Sequence, residues 1–395
     1  AGFFSVSAQV TTSSVQGVVS QSVGATVKAT HVPTGTIYTG VVNQSGSFNI
    51  PNMRVGGPYK IEITKPGKSS DIYEDIYLQL GEPFVLETNV SKKETSIKEV
   101  TLTARKSLRK TGATTIVGKK QIESLPTLSR SLQDFTRLTP QANGNSFGGA
   151  NNRYNNITID GAVNNDVFGL SGSGTPGGQA GTQPISLDAI QEIQVALAPY
   201  DVTQGSFTGA SVNAVTRSGT NKFEGSTYFF GRNQNTIGKN VITDLKSSKF
   251  SDYQYGFRLG GPIVKDKLFF FINGEVGRRT SPLAFNAGET GATMTNEIAK
   301  AIADHARTAY GYDVGSYGPQ DIQTQNNKIF GKIDWNINSK HQLAVRYNFI
   351  DAFDDNLSRS NNFFRFGNNA YKFNNKQHVA VAELRSNSIV DSQTI

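Results

Sequence analysis

The chain has 395 residues, a formal net charge of +8 and no cysteine. This length suffices for several domains with buried cores, and the lack of cysteine excludes disulfides, thiolate nucleophiles and cysteine-based zinc sites. The positive charge lies mainly in residues 91–120, which carry nine Lys and Arg against two Glu. No folded segment therefore has the broad basic face that nucleic-acid binding requires, and nucleic acid is not expected as a partner.

The first eight residues have the pattern of a processed export signal. Phe3 and Phe4 are followed by Val6 and Ala8, and small residues at alternate positions after an apolar run are typical of a signal-peptide cleavage site. We expect residues 1–8 to be a signal remnant and the chain to be a fragment of a longer protein. No run of about 18 apolar residues occurs, so a transmembrane helix is not expected. These features fit a periplasmic protein, a secreted protein or an outer-membrane β-barrel.

Residues 9–90 predict a small antiparallel β-sandwich. Short β-prone runs are separated by turns such as Pro33-Thr34-Gly35 and Lys65-Pro66-Gly67, and strands at this spacing indicate a sandwich. The segment resembles the carboxypeptidase regulatory-like domain in the order of its motifs: Gly17-Val18-Val19, Gly24-Ala25-Thr26-Val27, Pro33-Thr34-Gly35, Ser45-Gly46-Ser47-Phe48 and Tyr59-Lys60-Ile61. The resemblance implies an accessory domain without catalytic activity.

Residues 91–120 predict a basic linker that contains one short strand. Residues 97–104 have high β propensity but almost no apolar residues around them. A strand without a core of its own is a candidate for addition to the sheet edge of another protein. The alternative is a solvated linker, which the composition alone favours.

Residues 121–220 predict a second folded unit. Short helical turns are expected at residues 122–126 and 131–135, a strand at residues 157–159 and a helix N-terminus at residues 187–192. The motifs that follow one another in this segment are Ile157-Thr158-Ile159-Asp160-Gly161, Ile190-Gln191-Glu192-Ile193-Gln194-Val195, Gly205, Gly209 and Val212-Asn213-Ala214-Val215-Thr216. Their order resembles the plug domain of TonB-dependent outer-membrane receptors.

Two further features bear on the branch of this family. The Gly/Asn-rich insert and the closing Thr216-Arg217-Ser218-Gly219-Thr220-Asn221 resemble the Oar-like branch found in Bacteroidetes and myxobacteria. The chain departs from the wider family at Ala196-Leu197-Ala198-Pro199-Tyr200, where a Lys/Arg-Gly-Pro turn is usual.

Residues 221–395 alternate apolar and polar side chains, which over about ten residues is the pattern of a transmembrane β-strand. The apolar members are Tyr253, Tyr255, Phe257 and Leu259, then Ile329, Ile333, Trp335 and Ile337, then Leu343, Val345, Tyr347 and Phe349. Tight turns at residues 260–266 and 338–341 alternate with long connections at residues 278–326 and 351–375, as in barrels with short periplasmic turns and long outer loops. The strands of a soluble sandwich would also alternate apolar and polar side chains, but its tight turns and long connections would not alternate so regularly.

About six such strands are expected, and the smallest membrane barrels need about eight. We therefore expect the first part of a larger barrel, of about 22 strands if the family resemblance holds. The predicted fold class is mainly β, with an N-terminal β-sandwich, an α+β plug domain and the first strands of a transmembrane antiparallel β-barrel. The expected domains are residues 9–90, 91–120 as linker, 121–220 and 221–395.

No catalytic constellation is found in the sequence. Gly172-Ser173-Gly174-Thr175-Pro176-Gly177 matches a dinucleotide fingerprint literally, but Pro176 and the surrounding glycines favour a plug loop. The four histidines are scattered, and acidic pairs such as Asp354-Asp355 and Asp160 with Asp166 are interpreted as solvated loop residues rather than calcium ligands. We expect no enzymatic activity, no cofactor and no metal.

The resemblance implies two recognition surfaces. The strand Glu99-Val100-Thr101-Leu102-Thr103-Ala104 resembles the TonB box, which couples the receptor to inner-membrane TonB. Plug loops would face an extracellular ligand, for which amide and aromatic groups suggest a peptide or a glycan; the candidate residues are Asn152, Arg153, Tyr154, Asn165, Asp166 and Phe168.

The resemblance implies a function in ligand uptake at the bacterial outer membrane. The lipid of the outer membrane would surround the barrel, and the sandwich and linker would lie in the periplasm. Ligand binding outside and TonB-driven remodelling of the plug would open a path. The alternative is an adhesin or assembly scaffold that uses the barrel as an anchor, and a secreted hydrolase is disfavoured because catalytic residues were not found.

Overall fold

The computed structural model describes residues 11–19, 23–64, 70–87, 113–127, 130–166, 171, 173–197, 208–239, 244, 246 and 248–386. These residues form a sandwich, a plug and a large antiparallel sheet. Among them, no helix is both long and apolar enough to cross a membrane. The segment that resembles a TonB box, residues 99–104, lies outside the described residues.

The sandwich contains seven strands in two sheets. They are β1 (Ser13–Val18), β2 (Thr26–His31), β3 (Thr36–Val41), β4 (Ser47–Met53), β5 (Gly56–Thr64), β6 (Asp71–Leu78) and β7 (Pro83–Glu87). One sheet has the order β4-β1-β7 and the other β3-β2-β5-β6. The pairing is antiparallel as predicted except between β1 and β7, which are parallel. They run in one direction because the chain completes the second sheet before β7 returns beside β1.

Period-two alternation produces the sandwich core. Every second residue of β2 and β3 is buried, because successive side chains of a strand point to opposite faces. The core contains apolar residues from both sheets, among them Val15, Val27, Ile50, Ile61 and Ile63. Burial of each such side chain contributes about 1.5–3 kcal/mol relative to exposure, so the sandwich has a core of its own.

The plug is a five-stranded sheet with short helices at its margins. Its elements are β8 (Ala113–Gly118), α1 (Lys119–Ser124), α2 (Gln133–Thr136), β9 (Ala142–Asn143), β10 (Ser146–Phe147), β11 (Asn156–Ile159), β12 (Ala162–Val163), β13 (Ile190–Leu197) and β14 (Ala210–Thr216). The sheet order is β12-β11-β14-β13-β8, while β9 and β10 form a separate hairpin.

Two plug elements differ from the sequence prediction. Residues 113–118 were assigned to the linker, but β8 pairs with β13 over its whole length. Residues 187–192 were expected to begin a helix, but a 3-10 turn at Leu187–Ala189 leads directly into β13. In both places pairing between distant segments decides the structure, and local composition does not show it.

Six long strands follow the plug as one antiparallel meander. They are β15 (Glu224–Asn233), β16 (Ser251–Val264), β17 (Leu268–Pro282), β18 (Asp321–Asn336), β19 (His341–Asn356) and β20 (Tyr371–Ser386). Tight turns at residues 265–267 and 337–340 lie at one end of this sheet, and connections at residues 234–250, 283–320 and 357–370 lie at the other. Within the described residues the sheet is open, with β15 and β20 at its edges.

The two faces of this sheet have opposite character. On β18, Ile329 is 58% exposed and Ile333 is 47% exposed, whereas Lys328, Lys332 and Asp334 are buried. The apolar face therefore points away from the plug and the polar face points towards it. This is the arrangement of a barrel wall whose outer face contacts lipid.

The long connections carry folded structure of their own. Helix α3 (Asn296–Tyr310) lies in the connection after β17. Buried Arg359, in the connection after β19, donates to the carbonyl oxygens of Ser316 (2.9 Å) and Gly318 (3.1 Å). It also contacts Asn286 and stacks on Phe364. One guanidinium thus ties the two connections together.

Candidate functional site: the plug and its contacts

The plug lies against the polar face of the barrel wall. All residues of β11 and β14 are buried. The plug core includes Ile157, Ile193 and Val212 and is closed by Phe271 and Phe330 of the wall. The aromatic rings from β17 and β18 therefore complete the plug core, and the plug and the wall share one apolar cluster.

Asp160 forms the centre of a buried polar network between plug and wall. Its carboxylate accepts hydrogen bonds from the amide of Thr216 (2.8 Å) and the hydroxyl of Thr216 (2.6 Å). Arg346 Nε lies 3.1 Å from Asp160 Oδ2, and Lys332 Nζ lies 3.9 Å from the same atom. Arg346 also donates to the carbonyl oxygen of Ile159 (2.5 Å). The plug strand ends are thus held by cations of the wall.

A second buried network involves Glu275 of β17. It pairs with Lys328 of β18 at 2.8 Å and accepts hydrogen bonds from the hydroxyls of Ser186 (2.7 Å) and Tyr228 (2.8 Å). Ser186 belongs to the plug, whereas Glu275, Lys328 and Tyr228 belong to the wall. The carboxylate therefore links a wall ion pair to the segment just before β13.

Arginines and carboxylates near the tight-turn end form a third group. Glu123 of α1 accepts from Arg217 (3.0 Å) and Arg258 (3.2 Å). Arg130 pairs with Asp188. Burial tends to raise the pKa of Glu123, but the Arg217 guanidinium outweighs it and the net direction is downward. Glu123 therefore stays ionised between two cations.

These networks position the plug more than they stabilise it. Desolvation of buried charges offsets much of their attraction, yet removal of one partner costs about 3–5 kcal/mol because the other charge is left unpaired. The charges therefore specify one orientation of the plug in the wall.

The direction of the strands places the two ends of the plug. β14 ends at Thr216 and the chain reaches β15 at Glu224, which pairs with Gly260 close to the tight turn at residues 265–267. β11 runs parallel to β14, so its first residue points towards the end with the long connections. Residues 151–155 and 164–166, which flank β11 and β12, therefore lie at that end.

The six sequence-predicted ligand residues have different environments. Arg153 and Tyr154 are exposed in a 3-10 turn, Asn152–Tyr154, that begins where Asn151 accepts from the Arg153 amide at 3.0 Å. Asn165 bonds within the plug, accepting from the Ile157 amide at 2.7 Å. Asp166 accepts from the Ser171 amide at 2.5 Å. Asn152 is partly buried, and Phe168 lies outside the described residues.

The glycine-rich segment packs against the wall. A 3-10 turn at Gly178–Ala180 follows it, and Ala180 packs on Ile350 and Ala352. Gly177 has φ +76°, and a Cβ at this position would overlap Asn375 and Gln377 of β20. Glycine is thus required by close approach to the wall, and the segment lacks the strand and long helix of a dinucleotide site.

The sandwich contacts the tight-turn end of the plug. Leu80 donates its amide to Glu192 Oε1 (2.6 Å) and accepts from Gln194 Nε2 (2.9 Å). Its side chain forms a small buried cluster with Val55 and Val215. Burial raises the pKa of Glu192 to about 7, and the negative charge of Glu82 acts in the same direction, against the Leu80 hydrogen bond.

The sandwich also contacts the rim of the wall. Arg54 pairs with Asp334 at 3.0 Å, Asn336 donates to Thr36 Oγ1 at 2.8 Å, and the Asn221 amide donates to the Pro33 carbonyl at 2.8 Å. A cavity of about 1130 Å³ remains between sandwich, plug and wall. Among the described residues, no group of three or more His, Asp and Glu side chains could hold a metal ion.

Sequence reasoning missed the residues that carry these contacts. Asp160 was interpreted as a solvated loop residue, but it is buried, and a carboxylate directly after a buried strand is a signal of a buried partner. Glu275 is a lone acid in the apolar run of β17, which is a similar signal. Glu192 gave no such signal, because its partner lies on another domain.

Family models and known proteins agree with this architecture. A model described as the carboxypeptidase regulatory-like domain matches residues 5–91, and one described as the outer membrane beta barrel domain matches residues 215–297. The chain is 27% identical over 248 residues to the TonB-dependent transporter Oar of Myxococcus xanthus, covering 56% of this chain and 21% of Oar.

Two further proteins are similar. The probable TonB-dependent siderophore receptor PirA of Acinetobacter baumannii is 25% identical over 201 residues, which cover 46% of this chain and 25% of PirA. The chain thus spans 21% and 25% of the length of these two curated relatives. The outer membrane transporter YddB from Escherichia coli has the same fold, with a TM-score of 0.50 and 12% identity over 70% of this chain and 37% of YddB.

The chain is therefore homologous to the TonB-dependent transporter Oar, and it carries a carboxypeptidase regulatory-like domain. Its barrel domain and its homologues place it in the outer membrane. These homologues are transporters and receptors rather than enzymes.

Proposed function

We propose that the protein is an outer-membrane receptor that binds an extracellular ligand and imports it when TonB remodels the plug. The observation that supports this best is the way the plug is held. It is fixed to the wall by an aromatic contact and by ion pairs around Asp160 and Glu275. Desolvation offsets much of the attraction in such buried ion pairs, and water and neighbouring charges can replace them when a pulling force displaces the plug.

The coupling segment in this proposal is the strand of residues 99–104. An added strand binds mainly through main-chain hydrogen bonds, so β propensity matters more than side-chain identity. The segment connects the sandwich to β8, at the edge of the plug sheet.

The ligand class that we propose is a peptide or a glycan. Exposed Arg153 and Tyr154 lie at the end of the plug that faces the long connections. Aromatic and amide groups combine stacking with hydrogen bonding, which suits such ligands. A siderophore, which the name of PirA specifies for that relative, is the main competing class.

The open edges of the six-stranded sheet require further strands. Unpaired amides and carbonyls at β15 and β20 would be costly in hydrocarbon, where water cannot satisfy them. We propose that additional strands of the whole receptor pair with both edges and close the barrel around the plug.

An adhesin or assembly scaffold is the second candidate. The folded connections that Arg359 joins favour it, because a rigid outer surface can bind partners without transport. Ligand entry that stops when the proton-motive force is collapsed supports the transporter. Unchanged binding without entry supports the scaffold.

The coupling role is tested with proline, which removes a main-chain donor. Thr103→Cys introduces a thiol next to the proposed pairing segment for disulfide crosslinking to a cysteine variant of TonB in cells. We expect a crosslink that Thr101→Pro abolishes and that Thr101→Val, the matched control, retains. If Thr101→Pro crosslinks as well as Thr101→Val, residues 99–104 do not pair with TonB as a strand.

A further inference from the structure

The contact between sandwich and plug is built around one residue. Leu80 has both of its main-chain polar groups bound by side chains of β13, which are Glu192 at 2.6 Å and Gln194 at 2.9 Å. Its side chain is fully buried against Val55 and Val215. Leu80 lies in the turn between β6 and β7, and the plug thus binds both main-chain polar groups of a turn residue through its own side chains.

The docked sandwich covers the part of the plug that leads into the wall. Val215 is 6% exposed and lies one residue before Thr216, which bonds to Asp160. Arg54 and Thr36 fix the sandwich to the wall at the same time. The plug cannot move along the barrel axis while both contacts persist, because the sandwich is held against the plug and the rim together.

The charges around Glu192 come from all three bodies. Glu82 is the acid on the sandwich side. The cavity between sandwich, plug and wall, which Glu192 also lines, is bounded by charged and titratable residues of all three bodies: His31 and Arg54 from the sandwich, Lys119, Lys120, Glu123 and Arg217 from the plug, and Glu224, Arg258, Lys332, Asp334 and Arg385 from the wall. Several of these charges are paired: Glu123 pairs with Arg217 inside the plug, and Asp334 of the wall pairs with Arg54 of the sandwich. Glu192 is bound instead by the neutral amide of Leu80.

We propose that the sandwich is a proton-sensitive latch on the plug, which holds the periplasmic ends of β13 and β14 when docked and frees the plug to move when released. Its biological meaning rests on the proposed transport function, whereas docking itself can be measured without TonB or ligand.

The direction of the proton effect follows from burial. Docked Glu192 has its pKa raised from 4.5 to about 7, whereas solvent returns it to the ordinary value after release. The docked form therefore holds the proton more tightly. Docking is strongest at low pH and weakens as the pH rises towards 7, levelling off above it. Between pH 6 and pH 8 the docking equilibrium constant should fall about tenfold.

Thiol labelling of the whole receptor in outer-membrane preparations measures this equilibrium. Val215→Cys places a thiol under the sandwich, and Val41→Cys, at a site that is 55% exposed, is the reference. The ratio of the two maleimide labelling rates corrects for the intrinsic pH dependence of the thiol. We expect the ratio to rise about tenfold from pH 6 to pH 8. Glu192→Gln keeps the acceptor oxygen and should make the ratio independent of pH.

Leu80→Asp completes the test. When it is combined with Val215→Cys, the thiol at position 215 should label fast at both pH values if docking protects this site. The latch is overturned if Val215→Cys labels as fast as Val41→Cys at pH 6. It is equally overturned if the pH dependence persists in Glu192→Gln, or if the ratio stays low and unchanged from pH 6 to pH 8. None of these outcomes depends on TonB, so a failure of the latch is distinct from a failure of the transport proposal.

Discussion

Asp160 shows how single buried charges position the plug. It lies at the end of β11, bonds to Thr216 at the end of β14 and pairs with Arg346 of the wall at 3.1 Å. Lys332 donates to the Thr216 hydroxyl at 3.0 Å in the same network. The carboxylate is therefore shared by two plug strands and two wall cations. Its loss affects all four groups.

We expect Asp160→Asn to weaken the plug by about 3–5 kcal/mol, because two buried cations lose their counter-charge. The measurement is urea titration of the whole receptor in detergent micelles, with proteolytic cleavage of the plug as the signal. Asp252→Asn is the matched control. It removes an exposed ion pair with Arg232, which should change stability by at most about 1 kcal/mol. Equal effects of the two substitutions would show that the Asp160 network does not hold the plug.

Strands were the elements that the sequence predicted best, within limits set by the membrane. Alternation located β16, β18 and β19, but β18 begins at Asp321, whereas the sequence pattern begins at residue 328. Residues 321–327 contain a single apolar residue, Ile322, and so show no apolar and polar alternation. A membrane needs only about 9–11 residues of a tilted strand. The remainder of β18 extends beyond it, where only hydrogen bonding to β17 and β19 defines the strand.

Ile329 tests which part of β18 meets lipid. It is 58% exposed on the outer face, and Ile329→Arg should destabilise the barrel by about 2–4 kcal/mol if it lies near the bilayer centre. The measurement is reversible folding of the whole receptor into lipid vesicles. Gln325→Arg, on the same face and four residues nearer the outer end, should cost at most about 1 kcal/mol. A larger cost at Gln325 would place the membrane differently along the strand.

At the scale of the whole molecule, the described chain has two main separate cores. One lies entirely within the sandwich, and the other joins the plug to the wall through Phe271 and Phe330. Composition and motif order predicted the three bodies. The contacts between them were not predictable, because Leu80 and Glu192 are far apart in sequence and neither belongs to a local pattern. Pairing of this kind is specified only by the assembled surfaces.

Because its core is self-contained, we expect residues 11–87 to fold without the rest of the chain. Cooperative urea unfolding of this fragment, followed by circular dichroism, is the measurement. Ile61→Ala, at a fully buried site, should lower the free energy of unfolding by about 2–5 kcal/mol. Val41→Ala, at an exposed site, should change it by no more than about 0.5 kcal/mol. A fragment that unfolds gradually, without a transition, would mean that the sandwich needs the plug to fold.

The tight turns of the wall serve a second purpose that restricts protein engineering. Asp266, in the turn after β16, accepts from the Asn221 side chain at 2.6 Å, and Asn336 contacts Thr36 of the sandwich. An affinity tag or a fused domain placed at residues 265–267 or 337–340 would displace the sandwich from its contact with the wall. Residues 234–250 carry no such contact in the part of the chain that the structure describes, and they are the better place for an insertion. By the same logic, new binding specificities can be selected in residues 234–250 at little cost to folding, whereas the opposite rim tolerates little change.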